Sequence, residues 1–403
     1  MANSTTKILV SPQGRSFKLL ILLAAGSLTT MAGGVVAPVL PEIVQQLDLE
    51  PKLAANLVSM HCLTIALFSP PLGILADRFG RLRVLVASLV LYAVFGVAGA
   101  MMTTFLPLLV TRGLLGAASG GIAAASLGLL GSMYEGNERS QALGYATSTL
   151  TITGIVYPVL GGLVGANNWQ EAFYLYGLGL PLAGLSALTL RQPSRQTKTK
   201  TGESSFMLGQ ILGNHQTLWL LLTLGVASVV MYTGVTYAPL YFKDAIAAGP
   251  VENGIILASR AVGAAAVSAF GARRLSQRLG LAKATAVGFG LMALTIGTIP
   301  LLHNLNLIVL TAVLFGVGFG IVLPSLYDAL ANMAPAKLRS SVLAAGTGAG
   351  FLGQFLSPIL LGSLVTSRGL SGVFYAAAIL SVVTGVLLVL FGSKRLGRGK
   401  GKG

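Results

Sequence analysis

The chain reads as an all-α membrane protein: twelve transmembrane helices in two pseudo-symmetric six-helix bundles. Three observations predict this. Hydrophobic residues make up 54% of the 403 residues and charged residues only 9%, too few to cover a water-soluble surface of this size. Twelve apolar runs can be marked off, each long enough to cross the roughly 30 Å hydrocarbon core as a helix of about 20 residues. The sequence also repeats itself at a shift of about 200 residues: Leu75, Arg78, Gly80 and Arg83 recur as Leu275, Arg278, Gly280 and Lys283. The same shift carries Arg139-Ser140 onto Arg339-Ser340, Pro158 and Gly162 onto Pro358 and Gly362, and Gly116 and Gly120 onto Gly316 and Gly320. Duplicated halves are how many transporters build a site at the bilayer midplane that opens to either side.

In chain order, residues 1–18 form an N-terminal tail whose Arg15 and Lys18 precede the first run; the run is too long for a signal peptide and reads as an uncleaved span. Six runs follow in residues 19–190: 19–40, 53–75, 84–104, 105–130, 141–165 and 172–190. Residues 191–216, containing RQPSRQTKTKTGESS, are polar and basic and read as a flexible linker. Within it, 206–212 is either a short interfacial helix or an unstructured approach to the next span. A second six-run bundle occupies 217–392, with runs at 217–242, 253–272, 281–302, 305–330, 341–365 and 372–391, and a basic tail closes the chain at 393–403. Helices satisfy every backbone group within the span. A β-barrel would need short alternating segments, and these runs are continuous and rich in Leu, Ala and Gly.

The net charge of +16 raises nucleic acid as a partner, but the basic residues are sorted by side. With both ends in the cytoplasm, Lys52, Lys243 and Arg368 lie outside, Arg112 and Arg260 lie within the membrane, and the other 22 of the 27 lie inside. That asymmetry fixes the orientation, and anionic lipid headgroups at the inner leaflet account for it without nucleic acid. Cys62 is the sole cysteine, so no intrachain disulfide forms. No metal-ligand cluster, nucleophile–base pairing or phosphate-binding glycine loop is visible, so no enzymatic activity and no cofactor are expected.

Ionisable groups inside spans are functional candidates by default. Arg112 in the fourth run either faces protein or water or snorkels to the nearby outer interface. Arg260 in the eighth has the same ambiguity. His61 lies well inside the second run, and Asp328, toward the cytoplasmic end of the tenth, is the one acid placed within a span; each is a proton-coupling candidate or a hydrogen-bonded structural group. Tyr232, Tyr237 and Tyr241 recur along the seventh run, with Tyr241 read as an interfacial anchor. Tyr232 and Tyr237, with Tyr157, Phe351, Gln354 and Asn56, are candidates to line a central cavity.

GILADRFGRLRVL, from Gly73, resembles the loop between the second and third spans of the major facilitator superfamily. Gly73, Asp77, Arg78, Gly80 and Arg81 match in order; Leu82 stands where a basic residue is usual, and Arg83 follows it. The resemblance implies a latch that holds the cytoplasmic ends of the two halves together in the outward-facing form. In the second copy Gln277 replaces the acid, so the latch is expected to be asymmetric. Arg112 and Gly116 resemble the superfamily's fourth-span motif, with Leu115 in place of its Gln. TGIVYPVLGG resembles the fifth-span motif of drug and metabolite exporters that exchange against protons: Pro158, Gly161 and Gly162 fall in place, Tyr157 replaces a Gly, and Gly154 is displaced by one position. The two prolines of VVAPVLPEI point the same way.

The expectation is therefore a monomeric secondary transporter of a bacterial-type inner membrane, with the major facilitator fold. It exports small amphipathic or neutral compounds by alternating access, with protons as the coupling ion. The lack of a membrane-centred acid in the first or fourth run weighs against proton antiport. The alternatives are an uptake carrier, by proton symport or uniport, for a small neutral solute such as a sugar, and more remotely a channel or a non-transporting receptor.

Overall fold

The structure, a computed structural model, describes residues 12–134, 136–191, 201–335 and 338–392. The described residues are almost entirely helical: α1 Pro12–Gly34, α2 Leu40–Gln46, α3 Pro51–Phe79, α4 Arg81–Ala98, α5 Phe105–Met133, α6 Gly136–Val164, α7 Trp169–Tyr174, α8 Gly179–Thr189, α9 Thr201–Gly213, α10 His215–Ile246, α11 Pro250–Phe270, α12 Ala272–Leu279, α13 Leu281–Thr298, α14 Leu305–Asn332 and α15 Arg339–Leu387. Among the described residues, ten stretches are long and apolar enough to cross a membrane. One of these, Arg339–Leu390, is 52 residues long and breaks at Gly369, whose φ of 69° interrupts the helix, so it has the length for two spans. The 21-residue α11, with Glu252, Asn253 and Arg260 along it, is not among the ten. A total of twelve crossings is compatible with this arrangement.

The boundaries follow local chemistry. The first run does not continue as one helix to 40: Pro38 and Pro41 remove backbone donors, and the chain passes through a tight turn, Ala37–Val39, into α2. Asn168, Asn214 and Asn304 each accept a backbone N–H two residues on and so open α7, α10 and α14. Gly80 and Gly280, paired by the repeat, both have positive φ, 108° and 78°, a conformation open to glycine; they separate α3 from α4 and α12 from α13. Of the predicted linker, 192–200 lies outside the described residues, and Thr201–Gly213 is helical because Leu208 and Ile211, spaced for one helix face, pack on the core. α1 begins at Pro12, inside the expected N-terminal tail; residues 1–11 and 393–403 lie outside the described residues.

In the first half α3, α4, α1 and α6 pack around α5, with α8 against α4; in the second, α10 and α13 pack on α15, and α11 and α13 on α14. Two seams join the halves, α3 against α15 and α6 against α11. The 200-residue shift carries α3 onto α11 and α6 onto the start of α15, so it exchanges one seam for the other, as a two-fold axis between the halves requires. Side chains repeat the symmetry: Ser69 Oγ donates to the Gly120 carbonyl at 3.4 Å, and Ser268 Oγ to that of Gly320 at 3.1 Å. Large apolar side chains such as Leu106, Leu188, Leu294 and Ile379 are exposed on the outside of the bundle, where lipid rather than water is a fitting solvent.

Candidate functional site

The middle of the molecule holds a buried polar cluster centred on Arg112. Its guanidinium is 1% exposed. Nε donates to the Leu57 carbonyl at 3.2 Å, Nη1 to the Tyr176 hydroxyl at 3.0 Å, and Nη2 to the Ala32 carbonyl, with His61 Nδ1 at 3.5 Å from Nη2. Tyr176 in turn donates to the Ala32 carbonyl at 3.0 Å. Arg112 therefore faces protein and does not snorkel. Backbone dipoles, a phenol and an imidazole surround the charge, and no carboxylate pairs with it among the described residues.

The cluster reaches across to the second half through α3. Tyr232 donates to the Val58 carbonyl at 2.7 Å, and the Cys62 thiol donates to Gln354 Oε1 at 3.2 Å while lying 3.5 Å from His61 Nε2 and 3.6 Å from the Tyr232 hydroxyl. Of the cavity candidates, Gln354 and Phe351 are half-buried, Tyr232 and Tyr157 are buried, and Tyr237 is fully enclosed. Tyr157 shares a 2.8 Å hydrogen bond with Ser27. Tyr237 does not border open space: its hydroxyl has no hydrogen-bond partner among the described residues and sits near Gly362.

At the face opposite the Asp77 loop the halves are sealed. Lys243 Nζ pairs with Glu42 Oε1 at 3.0 Å and Asn253 Nδ2 donates to the Pro38 carbonyl at 3.5 Å. Residues of the fifth-span motif supply the backbone approach there. A Cβ at Gly162 would strike the Pro250 carbonyl, one at Gly254 would come within 2.6 Å of the Pro158 carbonyl, and one at Gly161 would strike Val35. Gly154, further along α6, would meet only Ala261, at 3.9 Å. Toward the Asp77 face the seams part: a Cβ at Gly144 or Gly348 would meet nothing within 4 Å, and Tyr145, Thr147 and Thr347 are exposed.

The Asp77 loop is closed on itself. Arg81 pairs with Asp77 one turn back at 3.0 Å and donates to the Gly128 carbonyl of α5, and Arg83 donates to the Phe79 carbonyl at 3.5 Å. Gly73 packs toward Ala124, and Arg78 lies in the last turn of α3. Asp328 is exposed one turn before the end of α14, away from the Arg112 cluster. Arg260 donates to the Met231 carbonyl at 3.2 Å and lies over the Phe315 ring. Sequence reasoning missed the Glu42–Lys243 pair; the available signal was opposite charge at two helix ends on one face.

The family model described as Major Facilitator Superfamily matches residues 22–249 and 242–402. The chain belongs to the major facilitator superfamily. The superfamily fold is also that of a solved bacterial homologue of the human lysosomal transporter Spinster, described as inward-facing and unoccupied. The two superpose with a TM-score of 0.77 at 17% identity, over 96% of this chain and 97% of that one. Among characterised relatives, the bacillibactin exporter of Bacillus subtilis (strain 168) is 23% identical over 90% of this chain and 92% of its own length. The quinolone resistance protein NorA of Staphylococcus aureus (strain MSSA476) is 22% identical over 89% and 92%. As a superfamily member with efflux proteins among its relatives, the chain is a multi-pass membrane transporter and not an enzyme.

Proposed function

We propose that this protein exports small amphipathic or neutral compounds across a bacterial inner membrane by alternating access, driven by proton antiport. The observation that carries the reading is the one-sided closure. Glu42, Lys243, Asn253 and the Gly162–Pro250 approach seal one face, while the seams part at the Asp77 face. With both ends in the cytoplasm, as the basic residues argue, this is the state that loads from inside. Asp77 is then a latch at rest, paired with its own Arg81 until the cytoplasmic ends meet.

The exporters among the relatives support the direction of transport. Scarcity of charge around Tyr157, Phe351 and Gln354 supports a neutral or amphipathic substrate. Coupling to protons requires a titratable group that the cycle alternately wets; Asp328 at the open end and His61 beside Arg112 are the groups assigned to it. Residues 19–190 and 217–392 are the two bodies that rock, and the transporting unit is a monomer.

The test is a panel of compounds in a host stripped of its own efflux pumps, followed by counterflow in proteoliposomes with and without a pH gradient. Saturable counterflow, with efflux that the gradient drives, supports the proposal. Flux without saturation points to a channel, binding without flux to a receptor, and gradient-driven accumulation to an uptake carrier.

A further inference from the structure

The two seams between the halves are built differently. A Cβ at Gly116 would strike the His61 carbonyl and one at Gly316 the Arg260 carbonyl, so Cys62 on α3 and Ala261 on α11 occupy equivalent places. The 200-residue shift likewise carries Gln354 of α15 onto Gly154 of α6. On one seam the pair is Ala261 and Gly154, where a Cβ on the glycine would meet only the alanine methyl, at 3.9 Å. On the other it is Cys62 and Gln354, and that pair ends a chain of hydrogen bonds.

The chain has a direction. A guanidinium only donates, so His61 Nδ1, 3.5 Å from Arg112 Nη2, accepts, and the ring carries its proton on Nε2. Nε2 lies 3.5 Å from Cys62 Sγ and donates to it. The thiol hydrogen then goes to Gln354 Oε1 at 3.2 Å. Each bond polarises the next. The Gln354 amide is thereby held with its oxygen occupied and its nitrogen left over. Nε2 has no protein partner among the described residues, and it is not enclosed.

The space it reaches is the cleft between the halves. Around α15, Gly346, Gly350 and Gly353 face α10 and α14, while Leu352 and Ile359 are exposed on another side, toward lipid. Thr347, Phe351 and Gln354, at i, i+4 and i+7, share the remaining face, and Thr347 is exposed where the seams part. Phe351 stands one turn from the amide on the way to that opening.

We propose that Gln354 is the specificity-determining residue of the cleft. Its Nε2 takes the carbonyl oxygen of an uncharged aromatic compound whose ring packs on Phe351, and Cys62 is a positioning residue that keeps the amide turned. The proposal rests on the reading of the cleft as the transport path and names its substrate class. An amide whose free atom is a donor selects an acceptor oxygen. Phe351 supplies the apolar face on which an aromatic ring packs. The Arg112 charge is held by its own partners behind the relay, so it leaves selection at this point to the amide.

The purified full chain in nanodiscs is titrated with fluorenone, isotope-labelled at its carbonyl carbon, and with fluorene, which has the same rings and no acceptor. Both partition into lipid, so the readouts are the ratio of their affinities across variants and the carbonyl stretch of bound fluorenone in infrared difference spectra. The wild type binds fluorenone saturably, with the carbonyl band shifted to lower frequency. Gln354→Leu loses the shifted band, and the preference for fluorenone over fluorene falls about fivefold. Cys62→Ser, whose hydroxyl still accepts and donates, keeps a single shifted band. Cys62→Ala frees the amide to turn and splits the band, which a loss of packing alone would not do; a single shifted band there overturns the positioning role. No saturable fluorenone binding in the wild type, an unshifted band, or an unchanged preference in Gln354→Leu overturns the proposal. None of these readouts needs flux. A shifted, Gln354-dependent band without counterflow of any panel compound sinks the transport reading and leaves the binding assignment standing, whereas saturable counterflow with an unshifted band sinks this proposal alone.

Discussion

Glu42→Gln removes the charge from the ion pair that closes the sealed face. At the observed 3.0 Å, two unit charges attract by about 5.5 kcal/mol at an effective dielectric of 20 and about 1.4 kcal/mol in water. The side chains are 32% and 19% exposed, and ordering a lysine costs entropy, so the net contribution is about 1 kcal/mol. The pair bridges α2 and α10, in different halves, and exists only while this face is closed. Its loss therefore lowers the ratio of closed to open forms about fivefold and leaves each half as stable as before. Spin labels at Gln45 and Asp244, both exposed beside the pair, report the separation by pulsed electron resonance in a Cys62→Ser background. The expected result is a longer-distance population that grows in Glu42→Gln and that high salt, by screening the pair, raises in the wild type alone. An unchanged distance distribution refutes the assignment of this pair as a gate.

Other variants probe the remaining contacts. Asp77→Asn breaks only an exposed pair one helical turn apart, about 0.3–0.5 kcal/mol, so insertion and unfolding temperature stay unchanged while transport slows; unchanged transport removes the latch. Tyr232→Phe deletes the bond to the Val58 carbonyl across the seam, about 1 kcal/mol, and shifts the label distances in the same direction as Glu42→Gln; a null shift argues that this bond survives opening. Gly162→Val drives a side chain into the Pro250 carbonyl, a steric cost of about 1–3 kcal/mol, and transport falls with little loss of membrane insertion; wild-type turnover contradicts the close approach. Asp328→Asn abolishes the response to a pH gradient while His61→Asn does so only if His61 carries the proton, and retention of coupling in both removes the pair from that role.

Much of the fold was legible because bilayer thickness imposes a length on every span and the repeat supplies its own check. Gly80 and Gly280 were paired by the repeat, and both adopt positive φ. Gly161 and Gly162, singled out by the fifth-span resemblance, meet the backbone of Val35, just past α1, and of Pro250 at the start of α11. Less was legible where partners carry no side-chain signature. Arg112 is held by carbonyls of Leu57 and Ala32, and any residue type offers a carbonyl. Glu42 and Lys243 are 201 residues apart, and their meeting depends on how two bundles dock. The break in the first run at Ala37–Val39 was written in Pro38 and Pro41 but masked by unbroken apolarity. Of the helix at Thr201–Gly213, the sequence offered only 206–212, as one of two readings, because its flanks are polar.

The central claim is that turnover requires the sealed face to open. Cysteines at Gln45 and Asp244, in the Cys62→Ser background, bridged by a short reducible bismaleimide, test it most directly, with efflux of a compound from the panel measured before and after reduction. Efflux should stop on cross-linking and return on cleavage. Full efflux with the bridge intact would contradict the account.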